Sequence, residues 1–503
     1  MILYVRGRKR FVFSGAVLAA FLFGCFLFGA LSVRNFRGLA LIGVMFCVAV
    51  YRIKPQLMVW VALFLAFAAL PASWHMGMVF GPVDIWAFQV ALLLAICYLI
   101  PIVRPRFSAY LLPGMFLLTV VCLTVVGFVT GHDAKSVVHE ATFLFETIGG
   151  FMLGLLIVYC DYTKAAMRAI AVTLWFSAPM IVAGSLHAIH VAGVEFNLAA
   201  TGGGCSAMAR CAGAAASTRV ITAADDPAFA VLTALVAAAI VGRFRLATYL
   251  ALGPPAAIIT LLAFARITLI EIGVAALVAI VASLGWWSVR RTAVLTAAGA
   301  VLFAVTVPGA LFLLQHWPAG DWLADQYTAF NNRVLGGVST KVLARDPSTL
   351  GRLAEDANLN RAIAKAPVFG HGLGYAYQLP SGEPDSFTAT LGTTYAHNFY
   401  LWWLAKAGAV GMAAFALFAL TPLIRALRCA SAPAKISAAV SVALLVTCTV
   451  NPMPEEGGAL TLGLALGSAM AFASRGRTER LGAKQTPALT GAEQTPALAS
   501  AAQ

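Results

Sequence analysis

The residues that could do chemistry fall in and just before one stretch, Arg352 to Gly411. Arg352 lies fifteen residues before Pro367, and Gly370, Gly372 and Gly374 follow that proline. His397 and Asn398 then stand together at the entrance of a long apolar run. A neutral imidazole near pH 7 can take a proton from a hydroxyl. A guanidinium keeps its charge and offers a planar fork of donors that suits phosphate. Three closely spaced glycines suit a turn that side chains with a Cβ negotiate poorly. Arg266 interrupts an otherwise apolar run, A-I-I-T-L-L-A-F-A-R-I-T-L-I-E-I-G-V, and an ionisable residue at such depth is a functional hypothesis by default. Each has a plainer reading. His397 could bond a loop carbonyl at the interface, Arg352 could be a solvated surface group, and Arg266 could snorkel from a tight turn between helices.

The elements that must position these groups are membrane helices. The chain has 503 residues, of which 61% are hydrophobic and only 11% charged. Its mean hydropathy is +0.87. A soluble domain carries about 25% charged residues, so the solvent here is lipid. Several apolar runs approach the roughly 20 residues that cross a bilayer. The fold class expected is an all-α polytopic membrane protein with about twelve to fourteen spans. The net charge of +14 does not indicate nucleic acid, because the basic residues fall mostly between spans on alternate sides. Of the nine cysteines, Cys25, Cys47, Cys97 and Cys122 lie in apolar spans and read as small buried hydrophobes. Cys205 and Cys211 share a polar loop; a disulfide or two ordinary thiols both fit them.

Along the chain, R-G-R-K-R precedes a first span near 11–31 that reads as a retained helix. Basic pairs at Arg52 and Lys54, Arg104 and Arg106, Lys164 and Arg168, Arg243 and Arg245, and Arg290 and Arg291 put one face in the cytoplasm. The runs near 38–51 and 57–72 are short enough to be tilted or re-entrant. About eleven spans fill residues 1–314. A large polar segment, 315–396, falls on the opposite side, with charges and apolar residues at helical spacing. Leu353, Ala357, Asn360 and Ala364 fit one helix ended by Pro367. The C-terminal spans occupy 397–475. Residues 476–503 contain QTPAL twice, lack apolar periodicity and read as a disordered cytoplasmic tail.

The order Arg, short helix, P-x-x-G-x-G-x-G, variable segment, then H-N-x-Y-L and a small-residue helix resembles the O-antigen ligase and O-antigen polymerase (Wzy-like) superfamily of bacterial membrane glycosyltransferases. Here it reads as Arg352, P-V-F-G-H-G-L-G from Pro367, and H-N-F-Y-L from His397. The resemblance implies a GT-C-like inner-membrane enzyme with its active site facing the periplasm. It implies a donor glycan on undecaprenyl pyrophosphate, and a second glycan, lipid A core or protein as acceptor. Arg352 and Arg266 would hold the pyrophosphate, and His397 would orient or deprotonate the acceptor. Asn398 and the three glycines would support it. The family usually has S-R-G around the second arginine, whereas Ala265 and Ile267 flank Arg266. No H-E-x-x-H or convincing D-x-D occurs, so no cofactor is expected and the transfer reads as metal-independent and inverting. The leaning is towards polysaccharide or exopolysaccharide polymerase, with ligase and protein transferase as alternatives. A transporter or flippase is the rival class, although the internal repeats and broken mid-membrane helices it would need are not evident.

Lesser candidates remain. Glu271 lies a little over a turn beyond Arg266 and could pair with it. Arg34 and Arg37 read as interfacial anchors. His132, Asp133, Lys135, His139 and Glu140 crowd the 131–142 segment, which fits acceptor or sugar contacts but reads first as a solvated polar turn. His371 lies inside the glycine run, His187 and His190 lack a third metal ligand, and Glu146 has no evident role.

Overall fold

A computed structural model describes residues 53–484 apart from 75, 81–82, 104, 106, 198–217, 244, 284, 315, 317, 336–346, 381–389 and 452–457. Arg34, Arg37, Cys205 and Cys211 lie outside the described residues. The chain divides into two units, Met1–Val61 and Ala62–Gln503. Of the first, the described part is the start of helix α1 (Gln56–Phe67) and the residues just before it. All that follows concerns the second.

The second unit is helical, as its composition requires. The helices are α2 (Ala87–Val103), α3 (Ser108–Val129), α4 (Ala134–Tyr159), α5 (Thr163–Ser185), α6 (Asp225–Val241), α7 (Leu246–Ala263) and α8 (Ile267–Ser283). They continue with α9 (Trp286–Leu314), α10 (Pro318–Phe330), α11 (Pro347–Lys365), α12 (Phe399–Leu427), α13 (Ala432–Thr447) and α14 (Ala459–Lys484). Among the described residues, α3, α4, α5, α7 and α12 are long and apolar enough to cross a membrane, and α1, α2, α8 and α13 are shorter apolar helices. The short run near 57–72 thus contains a helix of 12 residues, about 18 Å long at 1.5 Å per residue and too short to span. The last helix continues past Arg475 to Lys484.

Lipid removes the hydrophobic drive between spans, so close packing must hold them together. The sequence supplies it with glycines four apart. Gly150 and Gly154 of α4 meet Gly463 and Gly467 of α14, and the two helices run in the same direction. A Cβ at Gly463 would run into the carbonyl oxygen of Thr147, and one at Gly467 into that of Phe151. Alanines do the same work elsewhere: Ala237, Ala275, Ala279, Ala439 and Ala443 form one buried seam of α6, α8 and α13. Large aromatics fill the rest. Phe116 of α3 stacks on Phe418 of α12, with ring centroids 4.6 Å apart.

Two antiparallel strand pairs interrupt the helices, each strand only four residues long and so too short for its pattern to stand out. Strands β1 (Gly77–Phe80) and β2 (Val83–Trp86) pair with Gly77 opposite Trp86. Strands β3 (Val194–Asn197) and β4 (Thr218–Ile221) pair with Phe196 opposite Arg219. The second pair carries a residue of the site.

Candidate active site

The glycine-rich run is stitched into a break in α12. Helix α11 ends just before Pro367, as the proline requires. Gly370, Gly372 and Gly374 then take positive φ, at 68°, 86° and 76°. Gly408 inside α12 also leaves helical geometry, with φ 62°. The broken helix and the loop satisfy each other. His371 N donates to Ala405 O at 3.1 Å and Gly372 N to Lys406 O at 2.9 Å. In return Ala409 N donates to Pro367 O at 2.9 Å and Val410 N to Val368 O at 3.1 Å. A Cβ at Gly370 would overlap the Lys406 carbonyl, and one at Gly408 the Val368 carbonyl. Irregular backbone of this kind is tolerated in a membrane protein only where protein, not lipid, surrounds it.

A buried ion pair locks that junction. Lys406 Nζ donates to Glu140 Oε1 at 2.7 Å and to Tyr375 O at 2.7 Å. Glu140 Oε2 accepts from Gly374 N at 2.6 Å. This corrects the reading of 131–142 as a solvated turn. Helix α4 begins at Ala134, Asp133 caps it by accepting from Ser136 N at 2.8 Å, and Glu140 is buried. An apolar helix surface on one side and a cation on the other explain why: a buried carboxylate persists only when paired. His132 Nδ1 bonds Leu373 O at 2.8 Å, and His371 stacks on Tyr375 at 3.9 Å with Nε2 on Ala362 O at 3.0 Å. Both histidines hold the loop in place.

His397 sits one residue before the cap of α12. Its Nδ1 lies 2.9 Å from Glu355 Oε2, and its backbone N donates to the same oxygen at 3.3 Å. A neutral ring held this way carries its proton on Nδ1 and leaves the Nε2 lone pair as the basic site. Tyr395 meets the imidazole edge-on at 5.2 Å. Asn398 is the helix cap: its side chain accepts from Leu401 N at 3.3 Å. Glu355 and Arg352 share α11, three residues apart and so on one face. The Arg352 Nε is buried without a hydrogen-bond partner. Asp356 follows Glu355; burial and then that neighbouring carboxylate raise its pKa, while Arg352 and His397 pull it down.

Arg266 closes the turn from α7 to α8. Phe264 takes the left-handed conformation there, with φ 46°, and packs with Ala329 and Val334. Arg266 Nε donates to Arg333 O at 2.7 Å. Arg219 of β4 reaches the same turn, its Nε donating to Ala263 O at 2.7 Å. Burial pushes the Arg219 guanidinium down to about 10, helped by the positive charges of Arg333, Arg352 and Arg266 and opposed by Asp225. The arginines chosen from sequence are therefore electrostatic neighbours through Arg219, and Arg352 is joined to His397 through Glu355. Glu271 does not pair with Arg266; it accepts from Thr447 Oγ1 at 3.3 Å. Glu146 accepts from Gln89 Nε2 at 2.7 Å, and His187 bonds Thr218 Oγ1 at 2.9 Å. Among the described residues, no group of three His, Cys, Asp or Glu could hold a metal ion.

Glu355, Arg219, Arg333 and the Glu140–Lys406 pair were not picked out as site residues from sequence. Glu355 had a signal, its place one helical turn from Arg352. Arg219 and Glu140 had none, because their partners are far off in the chain.

The architecture is that of a multi-pass helical membrane protein in which neighbouring arginines lie near a histidine–carboxylate pair. Residues 250–416, about a third of the chain, match the family described as O-antigen ligase. The match supports the chain's place in the O-antigen ligase and polymerase superfamily, and a glycosyltransferase-type enzyme. It includes Arg266, Arg352, Gly370 and His397, whereas Arg219 and Glu140 lie outside it. No curated protein matches the sequence.

Proposed function

We propose that this chain is a metal-independent, inverting glycosyltransferase of the bacterial inner membrane, acting at the periplasmic face. Its donor is a glycan on undecaprenyl pyrophosphate. The acceptor hydroxyl attacks the anomeric carbon as the bond from that carbon to the pyrophosphate oxygen breaks. His397 Nε2 receives the acceptor proton, and Glu355 holds the ring and stabilises the imidazolium that forms. Arg352 and Arg266 hold the pyrophosphate and stabilise the charge that grows on it as it leaves. Asn398 sets the start of α12, and Gly370, Gly372 and Gly374 seat the loop against that helix. The 397–475 helices and the 315–396 segment would thus close the site from two sides.

The observation that carries this reading is the Glu355 bond to His397 Nδ1, made from the helix that also presents Arg352. It turns an imidazole towards base duty within reach of an anion-binding group. Among acceptors, we favour a second lipid-linked repeat, which makes the enzyme a polymerase. The glycan lost on gene deletion tests that choice. Accumulation of single lipid-linked repeats supports a polymerase. Full-length chains left unattached to lipid A core, or unglycosylated protein beside intact polymer, would overturn it in favour of a ligase or a protein transferase.

A further inference from the structure

Arg219 lies outside the family-matched segment and belongs to a strand pair of only four residues on each side. Its position is nonetheless built. Thr218 beside it is buried and bonded to the His187 ring. The Nε of Arg219 donates to Ala263 O, the last carbonyl of α7. Arg266, three residues further on, has its own Nε fixed by Arg333 O. Main-chain carbonyls therefore orient both guanidinium planes at one turn. A helix C-terminus also carries partial negative charge, which suits a cation placed there.

We infer that Arg219 is a third arginine of the anion site, binding the phosphate group next to Arg266, and that the ligand it recognises is a diphosphate. The inference rests on the pyrophosphate-binding role proposed above for Arg266 and Arg352. Two observations support it. The positive charges of Arg266, Arg333 and Arg352 all act on Arg219, with Asp225 the nearby carboxylate that offsets them. Gathering like charges costs free energy that a bound polyanion returns. The Arg352 Nε is a buried donor without an acceptor, and a phosphate oxygen would satisfy it. A single phosphate offers too few oxygens to engage guanidinium forks arriving from β4, the α7–α8 turn and α11 together, whereas a diphosphate presents two sets.

The test is calorimetric binding of inorganic pyrophosphate and, separately, orthophosphate to the full-length protein in lipid nanodiscs. A charge-assisted hydrogen bond to a ligand phosphate is worth about ten- to a hundredfold in affinity. We expect Arg219→Gln to weaken pyrophosphate binding by that factor and orthophosphate binding less. Arg219→Lys, which keeps the charge but not the fork, should fall between, and Arg361→Gln on the exposed side of α11 should bind as the parent does. Should Arg219→Gln fail to fold, the lysine variant decides: weaker pyrophosphate binding supports the inference and unchanged binding overturns it. Unchanged binding in folded Arg219 variants, with loss in Arg266→Gln, overturns this inference and leaves the proposed function standing. Unchanged binding in Arg266→Gln and Arg352→Gln as well overturns the anion site itself.

Discussion

Two carboxylate pairs, one with an ammonium and one with an imidazole, lie within this site, and they are built for opposite purposes. Glu140 and Lys406 meet at 2.7 Å with side chains 2% and 0% exposed. Their remaining capacity goes to Gly374 N and Tyr375 O, and the Lys406 ammonium also lies 5.5 Å from the Trp402 ring centre. Glu355 and His397 meet at 2.9 Å but remain 19% and 32% exposed. There Glu355 holds the Nδ1 side of the ring, and the imidazole stays partly open to solvent. A fully satisfied, dry pair fixes backbone. A half-satisfied, wet pair is left with a lone pair to use. Chain position gives no hint of the difference: Glu140 and Lys406 are 266 residues apart, and Glu355 and His397 are 42 apart. What separates them is how many neighbours complete each carboxylate.

Substitutions sharpen this contrast. The largest expected effect is on His397→Ala: removing the base should cut glycan transfer about 10²- to 10⁴-fold at unchanged membrane level, read as product per mole of protein. Near-normal transfer would remove His397 from the mechanism. Next is Lys406→Ala, which strands a buried carboxylate. It should lower stability by about 3–5 kcal/mol, seen as early thermal unfolding in detergent. Combining Lys406→Met with Glu140→Leu should restore much of that stability but not activity, because Gly374 N and Tyr375 O lose their partners. Recovery of both would show that the lock has no part in placing the glycine turn.

Glu355→Gln should leave thermal stability nearly unchanged and lower transfer about ten- to a hundredfold, since the amide still accepts from Nδ1 but no longer steadies an imidazolium. A melting shift as large as that of Lys406→Ala would erase the distinction between the pairs. The smallest effect belongs to Asp356→Asn. The raised pKa of Asp356 means its ionised form is disfavoured in the fold, so the cost is present at neutral pH and disappears as pH falls below the ordinary carboxylate range. Much of that cost is screened by solvent, so the variant should gain at most about 0.5 kcal/mol at pH 7, with no change at about pH 2.5.

The helical membrane architecture was legible because composition alone forces it. The helix before Pro367, the glycine turn and the placement of His397 at a helix start were legible too, since each depends on neighbours within a few residues. Glu355 was legible in principle, through its spacing from Arg352. The Glu140–Lys406 pair was not, because a charge read one residue at a time looks solvated until the opposing helix is in place. Arg219 was hidden for a related reason. Its strands are only four residues each: Val194–Asn197 alternates too briefly to stand out, and Thr218–Ile221 runs two polar then two apolar, so the segment reads as a polar connection.

The interleaving of residues 366–374 with the gap at Gly408 limits how this protein can be taken apart. A loop joined to a span by main-chain bonds in both directions cannot swing away as a lid, so substrate entry has to come from elsewhere, between the lipid-facing helices or through the rest of the 315–396 segment. For the same reason, exchanging that segment alone with a related enzyme would leave carbonyls and amides of α12 without partners. A working chimera needs its junctions before Arg352 and after Gly411, so that turn and helix are inherited as one cassette.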